Sequence, residues 1–377
     1  MVTTNRIHIK LILGFAVIGA LLNACTSGKD SVPTSTVSGS LTGICPTVIK
    51  IQTDWFPEAE HGGVYELLGP DYTIDKGSAS VKGALMDGEL DTGVDVEILA
   101  GGQLAGGRSV SATMYADDSI TLGFVNTDSA VRDSADTPTI AVFAPLEKSP
   151  LGFMWDANKH PNATTLAEAL AEVDTVSVFG RLAFVEYLVA KGILPESKLD
   201  LNYKGDLQIA TRDVIHQGFS TAEPFQYEEQ HGIKVAFQSL YDLGWPIYPE
   251  ALAVRSDQFA DLSPCLKVLV PILQRAQVSF IANPDRAIDI IVNAVHAYGT
   301  WWKYDADLGH FSVDTQVSLG IIAEVSSGFG SMDTDRVQKI IDASAPIFRA
   351  TGKQVPADLK PENLIDNQFI DVTVSNP

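Results

Sequence analysis

The sequence predicts an α/β protein built as two lobes. Three observations carry this: short β-rich runs alternate with helical stretches, the last third turns mostly helical, and 377 residues exceed what one hydrophobic core usually holds. Apolar strands separated by amphipathic helices imply parallel sheets covered on both faces. In chain order, strands are expected at residues 48–55, 94–100, 120–125, 139–143, 175–179, 199–203, 214–219, 235–240 and 251–254. Helices fall between them at 61–68, 109–115, 129–134, 166–173, 182–191 and 222–230. Residues 71–93 mix Gly, Asp, Lys and Thr and read as a hairpin or loop insertion after the first helix. From Leu262 onward, Leu266, Leu269, Val270, Ile272 and Leu273 mark an apolar helical stripe, with further helices over 284–297, near 317–325 and over 335–348.

The N-terminal segment carries an address. Arg6 and Lys10 precede an apolar run of about a dozen residues, and Leu22-Asn23-Ala24-Cys25 follows. Spanning a bilayer takes roughly 20 residues, so 1–24 reads as a cleaved signal peptide rather than a membrane anchor. The Leu-x-Ala-Cys ending resembles the lipobox of bacterial lipoproteins, which implies that Cys25 becomes the lipid-modified first residue of the mature chain. The protein would then be lipid-anchored to a bacterial cell membrane, facing the periplasm or the cell exterior. Residues 25–44, mostly Ser, Thr, Gly, Pro and Val, offer too little apolar surface to offset ordering entropy and read as a flexible tether.

A net charge of −21 argues against nucleic acid or anionic lipid surfaces as partners, because phosphate binding needs clustered Lys and Arg. It says little about a small ligand. Cys45 and Cys265 lie in an exported chain, where they either pair or stay as buried thiols, and the compartment favours a disulfide. Neither has a neighbouring Cys or His at zinc-ligand spacing, so no metal site is expected through them. Gly101-Gly102 and Gly106-Gly107 match neither a P-loop nor a dinucleotide fingerprint; they read as turn glycines, or as a loop exposing main-chain amides to a ligand. No Gly-x-Ser-x-Gly elbow occurs.

At the end of the first expected strand stands Asp54-Trp55-Phe56-Pro57-Glu58-Ala59-Glu60-His61-Gly62-Gly63-Val64-Tyr65. An aromatic pair, a Pro and a helix start place polar groups past the carboxyl end of a strand, where open α/β sheets bind ligands. The wording resembles the Asp-Trp-x-Pro-Asn-x-x-His-x-Gly opening of substrate-binding proteins in the thiamine-pyrimidine-precursor and nitrate/sulfonate/taurine importer group. Trp55, Pro57, His61 and Gly63 match; the family's Asn is Glu58 here, a change that bears on the ligand and not on the fold. Later segments resemble the family in the same order: 96–102 with 120–128, 139–155, 176–180, 217–225 and 248–254.

The resemblance implies a type II periplasmic-binding-protein fold with a hinge and a central cleft, lobe 1 from 45–145 and 250–377 and lobe 2 from 146–249. It implies a monomeric solute-binding protein that serves ATP-binding-cassette permease subunits and their ATPase, and captures a small heteroaromatic ligand such as a thiamine pyrimidine precursor. A small sulfonate or other anion is the alternative ligand, and a sensory or scaffold lipoprotein the alternative role. No cofactor is expected. A related pyrimidine synthase uses pyridoxal phosphate, but Val125 stands where its lysine would be, and no cysteine cluster follows, so no enzyme is expected. Trp55 is the stacking candidate, with Phe179 and Tyr248 as further aromatic candidates, each also readable as core. Gly180 precedes a helix facing the cleft. Glu223 would accept hydrogen bonds from ligand amino groups or stand as a solvated turn carboxylate. Asn126, Thr127 and Asp128 would bind ligand or cap a helix, and His61 would start a helix and line the cleft.

Overall fold

A computed structural model describes residues 40–375. The expected leader, Cys25 and the tether up to residue 39 lie outside the described residues. The first strands are β1 (Val48–Gln52), β2 (Thr73–Asp75), β3 (Ser80–Asp87), β4 (Leu90–Leu99), β5 (Leu122–Val125) and β6 (Thr139–Phe143). Then come β7 (Leu151–Asp156), β8 (Val176–Ser177), β9 (Leu199–Asp200), β10 (Ile215–Phe219) and β11 (Val235–Ser239), before β12 (Ala251–Arg255) returns. They make two sheets, of order β2-β3-β4-β1-β5-β12-β6 and β11-β7-β10-β8-β9. The chain thus leaves the first sheet after β6 and rejoins it at β12.

Both sheets are mixed, which corrects the expectation of parallel ones. β1 runs parallel to β4 and β5, but β12 is antiparallel to β5 and β6, and β3 is antiparallel to β4. In the second sheet β7 is antiparallel to both β10 and β11. The cause is connectivity: a chain that passes between sheets enters its next strand without a covering helix, and a tight hairpin forces antiparallel pairing. Residues 71–93 are that hairpin insertion, since β2, β3 and β4 extend the first sheet at its edge. β7 was missed, because its residues fell within the segment read as a crossing.

The helices are α1 (Gly62–Glu66), α2 (Val110–Ala116), α3 (Thr127–Asp133), α4 (Leu166–Glu172), α5 (Ala183–Ala190) and α6 (Glu223–His231). The helical C-terminal part holds α7 (Phe259–Ala282), α8 (Asp285–Tyr298), α9 (Ala306–Ser318) and α10 (Thr334–Ala350). The helix expected near 317–325 is displaced: α9 ends at Ser318, and the chain turns through Gly320 at φ +62° to bury Ile321 and Ile322. The apolar stripe of α7 is buried as its spacing required, packing with Ile288, Ile291 and Ala294 of α8 under Ile49 and Ile51 of β1. Cys45 and Cys265 form a disulfide that ties the entry to β1 to this helix. The tether ends earlier than residue 44, since Leu41 is buried in this same core and its N–H donates to Thr92 O at 2.8 Å.

A second core joins the sheets. Phe153 and Trp155 of β7, Val185 and Leu188 of α5, and Val337, Ile340 and Ile341 of α10 share it with Val125 and Ala253 of the first sheet. On α10, the Arg336 guanidinium reaches both crossings at once: it donates to Glu147 Oε1 at 2.6 Å and Glu147 O at 2.6 Å, and to Pro246 O at 2.7 Å and Ile247 O at 2.6 Å. Five donors in a rigid plane suit arginine to this task.

Candidate functional site

β1 stops at Gln52, and the segment after it is held by backbone. Thr53 Oγ1 donates to Trp55 O at 2.7 Å, while the N–H groups of Gly101 and Gly102 donate to Trp55 O and Asp54 O at 2.8 and 3.0 Å. A side chain at Gly101 would collide with the backbone of Thr53 and Asp54, and Gly102 has φ +58° beneath the Trp55 ring. These are turn glycines, approached closely by the Thr53–Asp54 backbone at Gly101 and by the Trp55 ring at Gly102. A short 3-10 turn, Ala59–His61, then leads into α1, where Gly62 and Gly63 lie so near Phe280 and Gln277 of α7 that any Cβ would clash. Backbone approach of this kind fixes where His61 points.

His61 is fully buried, edge-on to Phe124 at 4.9 Å. Its Nε2 lies 2.9 Å from Asp54 Oδ1 and 3.7 Å from Glu250 Oε2. Glu250 follows the return crossing with φ +50°, a conformation L residues seldom take, and its N–H donates to Asn126 Oδ1 at 2.8 Å. Asn126 therefore positions Glu250 rather than capping α3 with its side chain. Glu58 and Glu60 stand close by, and Glu223 joins them electrostatically from the start of α6.

Five carboxylates thus share one region, and each of the four glutamates is pushed toward its neutral form. Burial raises Glu58 well above the usual range, with Glu60, Glu250, Asp54 and Glu223 adding to it. Glu250 is raised by burial and then by Asp54 and Glu60. Glu60 is raised by burial, against the nearby hydroxyls of Thr221 and Ser312. Burial and then Glu60 bring Glu223 up to about 7, although it accepts the Phe219 N–H at 2.9 Å. Among the described residues no Lys or Arg forms an ion pair with any of the five. The region therefore offers hydrogen-bonding carboxyl groups, with no ion-paired Lys or Arg among the described residues to offset the charge of a bound anion.

Aromatic rings flank it. Trp55 is 36% exposed and meets Phe56, Trp301 and Trp302 edge-on at 5.4, 6.4 and 6.3 Å between centroids. Trp301 is itself exposed and donates its indole N–H to Gln103 Oε1 at 2.9 Å, whereas Trp302 stacks on Phe56 and donates to Pro57 O at 3.2 Å. Tyr304 OH accepts the Ala59 N–H at 2.9 Å. Sequence reasoning missed Trp301, Trp302, Tyr304, Glu60 and Glu250. The run Trp301-Trp302-Lys303-Tyr304 was a visible signal, coming directly after the end of α8 in a chain only 8% aromatic.

The other expected residues are placed as follows. Thr127 and Tyr248 exchange hydrogen bonds at the return crossing, Thr127 N–H to Tyr248 O and Tyr248 N–H to Thr127 Oγ1, both at 3.0 Å. Tyr248 is buried, with Arg336 3.7 Å over its ring and its OH accepting the Asp333 N–H at 2.7 Å. Asp128 is raised by burial, against Arg132 and the side chain of Trp245. These three belong to the joint between the lobes. Phe179 is 49% exposed and packs on Tyr203 at 4.8 Å, beside Gly180 at φ +133°.

This architecture has known counterparts. The chain aligns over 87% of its length with 94% of the periplasmic aliphatic sulphonate binding protein SsuA from Escherichia coli, at TM-score 0.56 and 9% identity. It aligns over 85% with 99% of the alkanesulfonate-binding protein SsuA from Xanthomonas axonopodis pv. citri bound to MOPS, at TM-score 0.52 and 10% identity. A third likeness, at TM-score 0.52 and 10% identity over 85% of this chain and 97% of that one, is the ligand-binding component of an ABC-type import system from Staphylococcus aureus with zinc bound. No protein-family model matches the sequence, and no curated protein matches it. The fold is therefore the two-lobed α/β type II periplasmic-binding-protein fold.

Proposed function

We propose that this chain is the extracytoplasmic solute-binding component of an ATP-binding-cassette importer, anchored through a lipid on Cys25 and acting as a monomer that performs no reaction on its ligand. The lobes hold the ligand between them and present the closed form to the permease. The ligand is a small heteroaromatic carrying amino or cationic groups, of which an aminopyrimidine such as a thiamine pyrimidine precursor is one. The observation that carries this reading is the exposed Trp55 ring on the same short segment as Glu58 and Glu60, acids that interact with Glu223 and form no Lys or Arg ion pair among the described residues. A ring stacks on the indole, and its amino edge donates to the carboxylates. The likeness to sulfonate binders favours the alternative ligand by fold alone. A sulfonate in this cleft would meet acidic side chains and no ion-paired Lys or Arg among the described residues to compensate its charge.

Native mass spectrometry of freshly purified protein, followed by calorimetric titration with aminopyrimidines and with alkanesulfonates, tests the assignment. The expected result is saturable binding of an amine-bearing ring and none of the sulfonates. Sulfonate binding with no response to amine-bearing rings would overturn it.

A further inference from the structure

Glu250 is difficult to explain as an ordinary buried acid. It is 6% exposed, its backbone sits at φ +50°, and Asn126 holds its N–H in place. That arrangement aims a carboxylate at His61, yet Glu250 Oε2 has no hydrogen-bond partner. A proton on His61 Nε2 is directed to Asp54 Oδ1 at 2.9 Å and leaves Glu250 Oε2, at 3.7 Å, unserved. Something positive that engages all three groups together would resolve this.

We propose that Asp54, His61 and Glu250 form a binding site for a divalent metal ion of the zinc or manganese class. One ligand atom from each of the three residues lies within 4.8 Å of the others. Tetrahedral zinc with bonds of about 2.0–2.2 Å sets its ligand atoms roughly 3.3 Å apart. Two of the three separations, 2.9 and 3.7 Å, bracket that spacing, and the third lies within 4.8 Å, so side-chain rotation can bring the three atoms around one ion. One imidazole and two carboxylates are a donor set that suits zinc and manganese. Asp54 has a side chain 29% exposed, against 0% for His61 and 8% for Glu250, so the remaining coordination positions open on the Asp54 side, next to Trp55. The site borders the proposed ligand cleft but does not depend on the ligand assigned to it.

The test uses the full chain in detergent, stripped with EDTA, dialysed, and titrated with zinc or manganese chloride. One ion per chain should bind, and X-ray absorption of the zinc form should read one imidazole with carboxylate oxygens at about 2.0–2.2 Å. Glu250→Gln and the more exposed Asp54→Asn, which keep side-chain volume, should each weaken binding at least about tenfold. Failure of the wild-type protein to bind either ion saturably, or equal binding by the folded variants, would overturn the proposal. Aminopyrimidine titration in EDTA reads the ligand assignment separately, so the two fail independently.

Discussion

In the proposed ligand site, Trp55 supplies stacking surface and Glu223 a titratable acid. Because Trp55 is over a third exposed and its backbone is held by Thr53 and Gly101, Trp55→Ala should leave unliganded melting nearly unchanged. Affinity for an amine-bearing ring should fall by about 1 to 3 kcal/mol, read by calorimetry. Glu223 titrates at about 7, raised by burial and by Glu60, so a cationic ligand competes with protons there and should bind more weakly as pH falls through 7. The unliganded protein should respond in the opposite sense. The folded state holds the proton up to a higher pH than the unfolded chain does, so stability from this group is full in acid and declines as pH rises from about 4.5 to about 7. Glu223→Gln should remove both dependences and raise unliganded stability at pH 8 by about 1 to 3 kcal/mol, measured by denaturant unfolding.

Among the elements, α1 is the most sensitive to its sequence. Gly62 and Gly63 allow it to press against Phe280 and Gln277, so Gly62→Ala should cost about 1 to 3 kcal/mol in thermal unfolding and disturb His61 at its start. Of that pair Gly63 was legible in the sequence as part of a motif, and so were the strands whose apolar residues run together, such as Thr139–Phe143, where expectation and structure agree. α9 was not legible, because its buried face is Leu308, Gly309, Ser312, Val313 and Gln316, and polar or absent side chains leave no apolar period to read. β7 was hidden differently: all of it but Leu151 is buried, yet it opens after Pro150 with Gly152, residues that read as a connection. In the site, the Asp54 to His61 segment was visible because its residues are contiguous. Glu250 and Trp301 reach the same place only through the return crossing and the end of α8, a convergence no local pattern records.

For the molecule as a whole, the disulfide is the simplest device to test. Cys45 and Cys265 are 220 residues apart in sequence, so their bond removes much of the unfolded chain's freedom. Cys265→Ala should lower stability by roughly 3 to 5 kcal/mol in denaturant unfolding, and reduction of the wild-type protein should reproduce the loss. Thiol labelling of the denatured, unreduced chain should find neither cysteine reactive.

The grip of Arg336 on Glu147, Pro246 and Ile247 has a mechanical consequence. Two ropes tied to one post cannot slide past each other, so the lobes are left with rotation about that post. Displacement then grows with distance from the guanidinium, so a few degrees at the joint become ångströms at the far rim of each lobe while the fastening itself stays still.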